Sequence, residues 1–250
     1  MPEALSAALA LPTLPGLLAV TLVAGVVYGF AGFGAALIFL PIATTLVDPV
    51  VAIAAFSVAA LSSLVTLIPR SWAECDRRVT LLMIGASTLT LPVGIYLLRI
   101  LDQQIVQIAI SLVAAATLIL LISGFRLPIR PGAASSTAVA GAAGVVGGAT
   151  GLLGPIVILF NLASGDDARR VRANTMVFLT IGSLFVIPQM ALQGLIAGSS
   201  LWLGALMLPT YAIGGLLGRR LFNPACESLY RNVAYTIIAL AVLAGLSDFL

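Results

Sequence analysis

Eight apolar stretches, parted by short polar breaks, constrain this chain more than any motif in it. They run about 17–47, 50–69, 80–98, 104–123, 136–164, 173–193, 200–218 and 229–247. Hydrocarbon offers no water to satisfy backbone amides and carbonyls, so a segment lying in it must close its own hydrogen bonds. A single helical span needs about twenty apolar residues, and most of these stretches have that length. Apolar residues make up 61% of the chain and charged residues 8%, with a mean hydropathy of +1.17. Soluble domains carry about a quarter charged residues. The expected class is therefore an all-α polytopic membrane protein, with no polar stretch long enough to be a soluble domain. The opening "MPEALSAALALPTLPG" lacks the basic n-region of a signal peptide, so no cleaved segment is expected. All twelve basic residues are arginine and histidine is absent. The net charge of +3 is thus a matter of loops and topology, not of nucleic-acid binding. Cys75 and Cys226 fall in expected loops without metal-ligand spacing and read as free thiols.

Two stretches, the first and the fifth, are about thirty residues long and carry glycine clusters near their middles. "GFAGFG" at 29–34 places three glycines in six positions, each weakening a helix by about 1 kcal/mol relative to alanine. "YGFAGFGAALIFLP" matches "GGATGLLGPIVILF", with Gly29 and Gly32 over Gly148 and Gly151 at an offset of 119. Asp48, Ala55 and Ser57 fall over Asp166, Ala173 and Thr175 at an offset of 118. "GIYLLRIL" falls over "GGLLGRRL", pairing Gly94 with Gly214 and Arg99 with Arg219. The chain reads as a duplication of a unit of about 120 residues. The first repeat spans 1–123, a linker 124–135, and the second repeat 136–250.

The arginines set the topology. Eight simple crossings would divide them five against seven, which is no bias. If the two broken stretches instead enter and leave on one side, eleven arginines share a face and only Arg99 lies opposite, as the positive-inside rule favours. Residues 17–31 and 34–47 as helices are each about 22 Å long, short of the about 30 Å hydrocarbon core. Each repeat then has a glycine-broken hairpin helix plus three transmembrane helices, crosses an odd number of times, and is inverted relative to the other. Both termini would face outside. The broken stretches could be re-entrant hairpins or paired short spans.

Irregular backbone at membrane depth is tolerated where it lines a cavity or is buried in protein. Half-helix N-termini at such breaks present unpaired N–H groups and a positive dipole end to an anion. Gly154-Pro155 sets proline where a helix begins and its missing N–H is harmless. Gly34-Ala35-Ala36 does the same in the first repeat, with no bulk to block close approach. Candidate substrate-binding residues are Gly32, Gly34, Ala35, Gly151 and Gly154 at the breaks. To them are added Ser57, Asn161, Asn174 and Thr175, whose hydroxyls and amides can donate to an oxyanion. Ser62, Ser63, Thr180, Ser183, Gln189 and Gln193 continue inward. The glycines could equally serve tight helix packing, as Gly25, Gly29, Gly141, Gly144 and Gly148 could. All nine acidic residues lie in or beside loops. No intramembrane carboxylate marks a proton relay, no constellation suits a hydrolase, and no P-loop is present. No catalytic residue, metal site or cofactor is expected, and the chain does not read as an enzyme.

The repeated "GFAGFGAALIFLP" and "GGATGLLGPIVILF", with "RANTMVF" at 172–178 and "GGLLGRRL" at 214–221, resemble the hallmarks of the sulfite exporter TauE/SafE family, also called the toluene-sulfonate uptake permease group. The resemblance covers nearly the whole chain. It implies a multi-pass protein of the bacterial inner membrane that moves sulfite, sulfoacetate, other organosulfonates or related small anions. It directs attention to Gly29, Gly32, Gly34, Gly148, Gly151 and Gly154. Phe33 and Ala35, and Leu152 and Leu153, interrupt the richer glycine runs of the family and would narrow the pocket. The expected function is a carrier or facilitator for a small sulfur-containing or organic anion, working by alternating access around a midplane site. A membrane scaffold whose glycines only pack helices and an anion channel are the alternatives. Apolar outer faces permit a homodimer.

Overall fold

The computed structural model describes residues 3–125, 132–163, 167–221 and 227–247, and every regular element among them is helical. Half of the expected linker, with Arg126 and Arg130, lies outside the described residues, as do Asp166 and Cys226. The helices are α1 (Glu3–Leu9), α2 (Leu14–Ala31), α3 (Ala35–Leu46), α4 (Pro49–Ala60), α5 (Ser63–Thr66), α6 (Ile68–Glu74), α7 (Arg77–Ile100) and α8 (Gln103–Ile122). The second half of the chain supplies α9 (Ala133–Thr150), α10 (Gly154–Ala163), α11 (Ala168–Leu192), α12 (Gly198–Leu221) and α13 (Glu227–Leu246). Among the described residues six segments, Pro49–Thr66 with its internal break included, are long and apolar enough to cross a membrane, and 35–46, 154–163 and 231–246 are shorter apolar helices. Large apolar side chains such as Leu89 and Leu192 are each 82% exposed, which suits lipid rather than water. The protein is a multi-pass membrane protein.

Loop carboxylates explain several helix starts. The Asp48 side chain accepts from the Val50 amide at 2.8 Å, Asp76 from Val79 at 3.2 Å, and Asp167 from Arg170 at 2.9 Å. Each satisfies an orphan N–H of its first turn and adds negative charge at the positive dipole end.

The glycine-rich segments break where the sequence places the break. Gly32 closes α2 at φ +83°, its amide returning to Tyr28 O, and Gly34 opens α3 at φ +93°. Gly151 closes α9 at φ +73°. These left-handed angles cost a side chain about 1–2 kcal/mol, so glycine is required there. The arms differ from the expected equal pair. α2 and α9 have 18 residues each, α3 has 12 and α10 has 10, so a long arm of about 27 Å joins a short one of about 15–18 Å. The arms of the first pair fold back on each other: a Cβ built on Gly16, early in α2, meets Leu46 Cδ1 at the end of α3 at 3.7 Å.

The stretch expected as one span at 50–69 is interrupted as well. α4 stops at Ala60, and α5 and α6 follow as short pieces. Ser62 and Thr66 turn their hydroxyls back onto Ala59 O and Ser62 O, and Pro69 in the first turn of α6 cannot continue the preceding helix.

Close glycine contacts tie the two halves of the chain together. A Cβ on Gly25 would press on Tyr211 O and Gly214, one on Gly29 would overlap Gly215 O, and one on Gly218 would overlap Val26 O. α2 therefore lies parallel to α12, backbone against backbone. Gly94 and Gly148 do the same for α7 and α9, again in parallel. The packing expectation held for Gly25, Gly29, Gly144 and Gly148 is met by these contacts. α3 runs parallel to α13, through Gly34 near Ile238 and Pro41 near Gly245. α8 and α13 run antiparallel, through Ser111 against Gly245 and Leu121 O against the Tyr235 hydroxyl. α7 and α11 start at the same end, where Asn174 Oδ1 accepts from the Asp76 amide at 2.8 Å, and Gln193 donates to Pro92 O further along. That end collects Arg77, Arg78, Arg169, Arg170 and Arg172, and Arg219 reaches it to donate to Thr66 O at 2.7 Å. Arg99 sits at the other end of α7.

Candidate functional site

The starts of the two short arms, α3 and α10, meet at one cavity of about 40 Å³. Gly34, Ala35, Ala36 and Leu37 line it from one side, and Gly151, Leu152, Leu153, Gly154 and Pro155 from the other. α3 makes its first helical bond from Ile38 N to Gly34 O. The Ala35, Ala36 and Leu37 amides have no backbone acceptor among the described residues, as the first turn of any helix requires. On the α10 side Pro155 has no N–H to offer, which leaves Gly154 and Ile156 as the nearest amides. Two positive dipole ends thus face the same small space.

The rest of the wall comes from side chains of α2, α4, α5, α11 and α12. Tyr28, Phe56, Ala60, Ser63 and Tyr211 contribute from one side, and Leu179, Thr180 and Ser183 from the other. Three aromatic rings form a continuous layer. Phe56 stands edge-on to Tyr211 at 5.8 Å, and Tyr211 lies 6.1 Å from Tyr28. The Tyr28 hydroxyl donates to Met176 O at 3.1 Å and shares a 2.8 Å bond with Thr180 Oγ1. Ser63 Oγ is buried beside the Tyr211 hydroxyl but forms no well-aligned bond. Ser183 donates to Leu179 O in its own helix. The wall is therefore apolar with a few hydroxyl donors, and none of the residues lining it is charged. Amides and hydroxyls are what such a wall offers to an anion. A water needs about 10–15 Å³ of such space, so the cavity holds a few waters or one small oxyanion in this arrangement.

Of the residues singled out from sequence, Gly34, Ala35, Gly151 and Gly154 line this cavity. Gly32 lies just behind it, with its α-carbon against the Arg172 side chain. Ser57 donates to Ile53 O at 2.8 Å within its own helix. Asn161 donates to Thr175 Oγ1 at 2.9 Å, and Thr175 donates to Val171 O at 2.8 Å. Those two residues join α10 to α11, and Asn174 joins α11 to the start of α7. Tyr28 and Tyr211 are absent from the sequence-derived set. Tyr28 directly precedes the glycine cluster and Tyr211 stands three residues before Gly214-Gly215. A tyrosine beside a glycine seam is pressed between helices, and its hydroxyl then needs a partner.

Fold and cavity define a polytopic helical membrane protein with a cavity built by discontinuous helices. The family model for sulfite exporter TauE/SafE matches residues 17–245, and the chain belongs to that family. It is thereby a membrane transporter of the sulfite and sulfonate type, with a small anion as substrate. No curated protein and no solved structure matches the chain.

Proposed function

We propose that the protein moves a small oxyanion, sulfite or a compact organosulfonate, across the bacterial inner membrane by alternating access, and that its two repeats are inverted about the cavity. One observation carries the reading: the N-termini of both broken-helix arms open on the same space. Supporting the inversion, α8 and α13 hold the same place in their repeats yet run antiparallel, and contacts between the repeats come in exchanged pairs, α2 with α12 and α9 with α7. The volume favours a compact substrate. A dry cavity of about 150 Å³ accommodates benzene, so an arylsulfonate needs more room than the 40 Å³ present.

Flux of radiolabelled sulfite into proteoliposomes of the purified protein tests the proposal. The native chain gives saturable uptake, and Gly154→Leu and Ala36→Leu, each filling the cavity, lose at least about tenfold in flux, the loss expected when anion-binding amides are blocked. Native-like elution in detergent shows that these variants are folded. A folded native chain that moves none of sulfite, thiosulfate, sulfoacetate or taurine overturns the reading. Loss of folding in both variants favours the scaffold, and non-saturating conduction the channel.

A further inference from the structure

Unlike contacts flank the cavity toward its two ends. Toward the arginine-bearing end, Arg172 of α11 donates through Nη2 to Gly29 O at 2.6 Å and through Nε to Phe30 O at 3.2 Å. It thereby grips the last turn of α2. Just inside, Tyr28 binds Met176 O and Thr180 of α11. Toward the other end, Gly151 abuts Leu40 Cδ1 of α3 and Ile53 of α4, and both side chains are fully buried. Gly32 and Gly151 are matching positions, 119 residues apart, and Ile53 falls one residue before Ala54, the position that matches Arg172. A Cβ on Gly32 would strike Arg172 as one on Gly151 would strike Ile53.

We propose that Arg172 is the positioning residue of a polar gate on the arginine-bearing side, with Tyr28 as its second bond, and that Ile53 and Leu40 form its apolar counterpart on the opposite side. The inference rests on the transport reading of the cavity. Arg172 sits at the helix end richest in carbonyl oxygens, where a cation is favoured. Its two bonds to α2 go to neutral carbonyls, and the Glu74 carboxylate acts on it from α6. An oxyanion is the stronger partner for a guanidinium, because it adds charge attraction to the hydrogen bond and can take the planar fork at two oxygens at once. An anion arriving at this end therefore competes Arg172 away from Gly29 and Phe30 and frees the α2–α3 turn to move. The opposite closure has no group for an anion to grip, and opening it exposes Leu40 and Ile53 to water. Substrate accelerates opening from one side only.

The test uses the full chain in oriented proteoliposomes, with Cys75→Ser and Cys226→Ser and one reporter thiol in the cavity, Ser183→Cys. Partial burial pushes the Cys75 thiol up, but its removal leaves the reporter unambiguous. A membrane-impermeant maleimide is applied from each side in turn. Arg172→Gln, and separately Tyr28→Phe, which keeps its ring, raise the labelling rate about tenfold from the arginine-bearing side, the factor expected from one lost hydrogen bond of ordinary strength. The rate from the other side is unchanged, and Ile53→Ala gives the reverse pattern. Sulfoacetate, which unlike sulfite does not add to maleimides, speeds labelling from the arginine-bearing side with Arg172 present and not with Arg172→Gln, and Arg172→Lys restores part of the response. Equal acceleration from both sides, no acceleration in either folded variant, or a reporter never labelled from the arginine-bearing side overturns the gate. Side-specific gating in a chain that moves no anion would sink the transport reading and leave the gate standing.

Discussion

Gly32 and Gly151 bend the chain at similar left-handed angles, φ +83° and +73°, but rest on different neighbours. Gly32 lies against the flexible stem of a half-buried arginine, whereas Gly151 lies against Leu40 and Ile53 in the packed interior. Duplication preserved the backbone geometry, because only glycine reaches those angles without strain. It did not preserve the environment, because the packing partner comes from another helix. Two repeats can thus share a ligand cavity and still present unlike faces to the two sides of a membrane.

The largest test of that difference is alanine at each turn glycine. Gly32→Ala incurs the left-handed strain of about 1–2 kcal/mol and pushes on the half-buried Arg172 stem, weakening its bonds to α2 at a cost of about 0.5–1.5 kcal/mol. Gly151→Ala incurs the same strain and drives a methyl into two buried side chains, adding about 1–3 kcal/mol of overpacking. Denaturation in detergent micelles should place Gly151→Ala below Gly32→Ala. Equal losses would mean that the two turns are equivalent after all.

A second difference lies at the helix starts. Ala36 and Pro155 occupy matching positions beside the cavity, and proline removes one amide donor from the α10 side. Pro155→Ala restores it. The loosened unfolded chain should cost about 0.4–1 kcal/mol of stability, and sulfite should bind up to about tenfold tighter, the gain of one hydrogen bond to an anion. Thermal shift against sulfite concentration reads both effects, since a ligand bound to the native state raises its stability by mass action. Unchanged affinity would show that the α10 amides do not face the ligand.

What could be read from the sequence follows the same division. The two breaks, their glycine pairs and the proline at the start of α10 were legible because glycine and proline impose their constraints on their own backbone, whatever surrounds them. The unequal arms were not, because the apolar boundary at residue 17 says nothing of the helical turn that extends α2 back to Leu14. The interruption between Ala60 and Ile68 was hidden inside an unbroken apolar run. Tyr28 and Tyr211 escaped for a different reason. Which face of α2 meets the cavity is fixed by α12, nearly two hundred residues away, and no periodicity within α2 specifies that pairing. Polar residues near helix starts, and at the end of the second hairpin, drew attention to Ser57, Asn161, Asn174 and Thr175, yet their hydroxyls and amides are taken up by bonds within and between helices.

Those bonds supply the smallest and most discriminating test. Thr175→Val keeps the side-chain shape, removes the acceptor of Asn161 and leaves that amide with one partner fewer in a buried setting. The cost should be about 1–3 kcal/mol of stability, the penalty for a buried polar group deprived of a bond. Sulfite affinity should stay within about twofold, because Thr175 tethers α10 to α11 without lining the cavity. Thr180→Val alters a residue of the same type one and a half turns along α11, but this one does line the cavity and bonds Tyr28. It should lose a similar amount of stability together with several-fold affinity. If both substitutions weaken binding equally, the closed cavity is not where the anion is held, and α11 contributes to binding from its first turns as well as its middle.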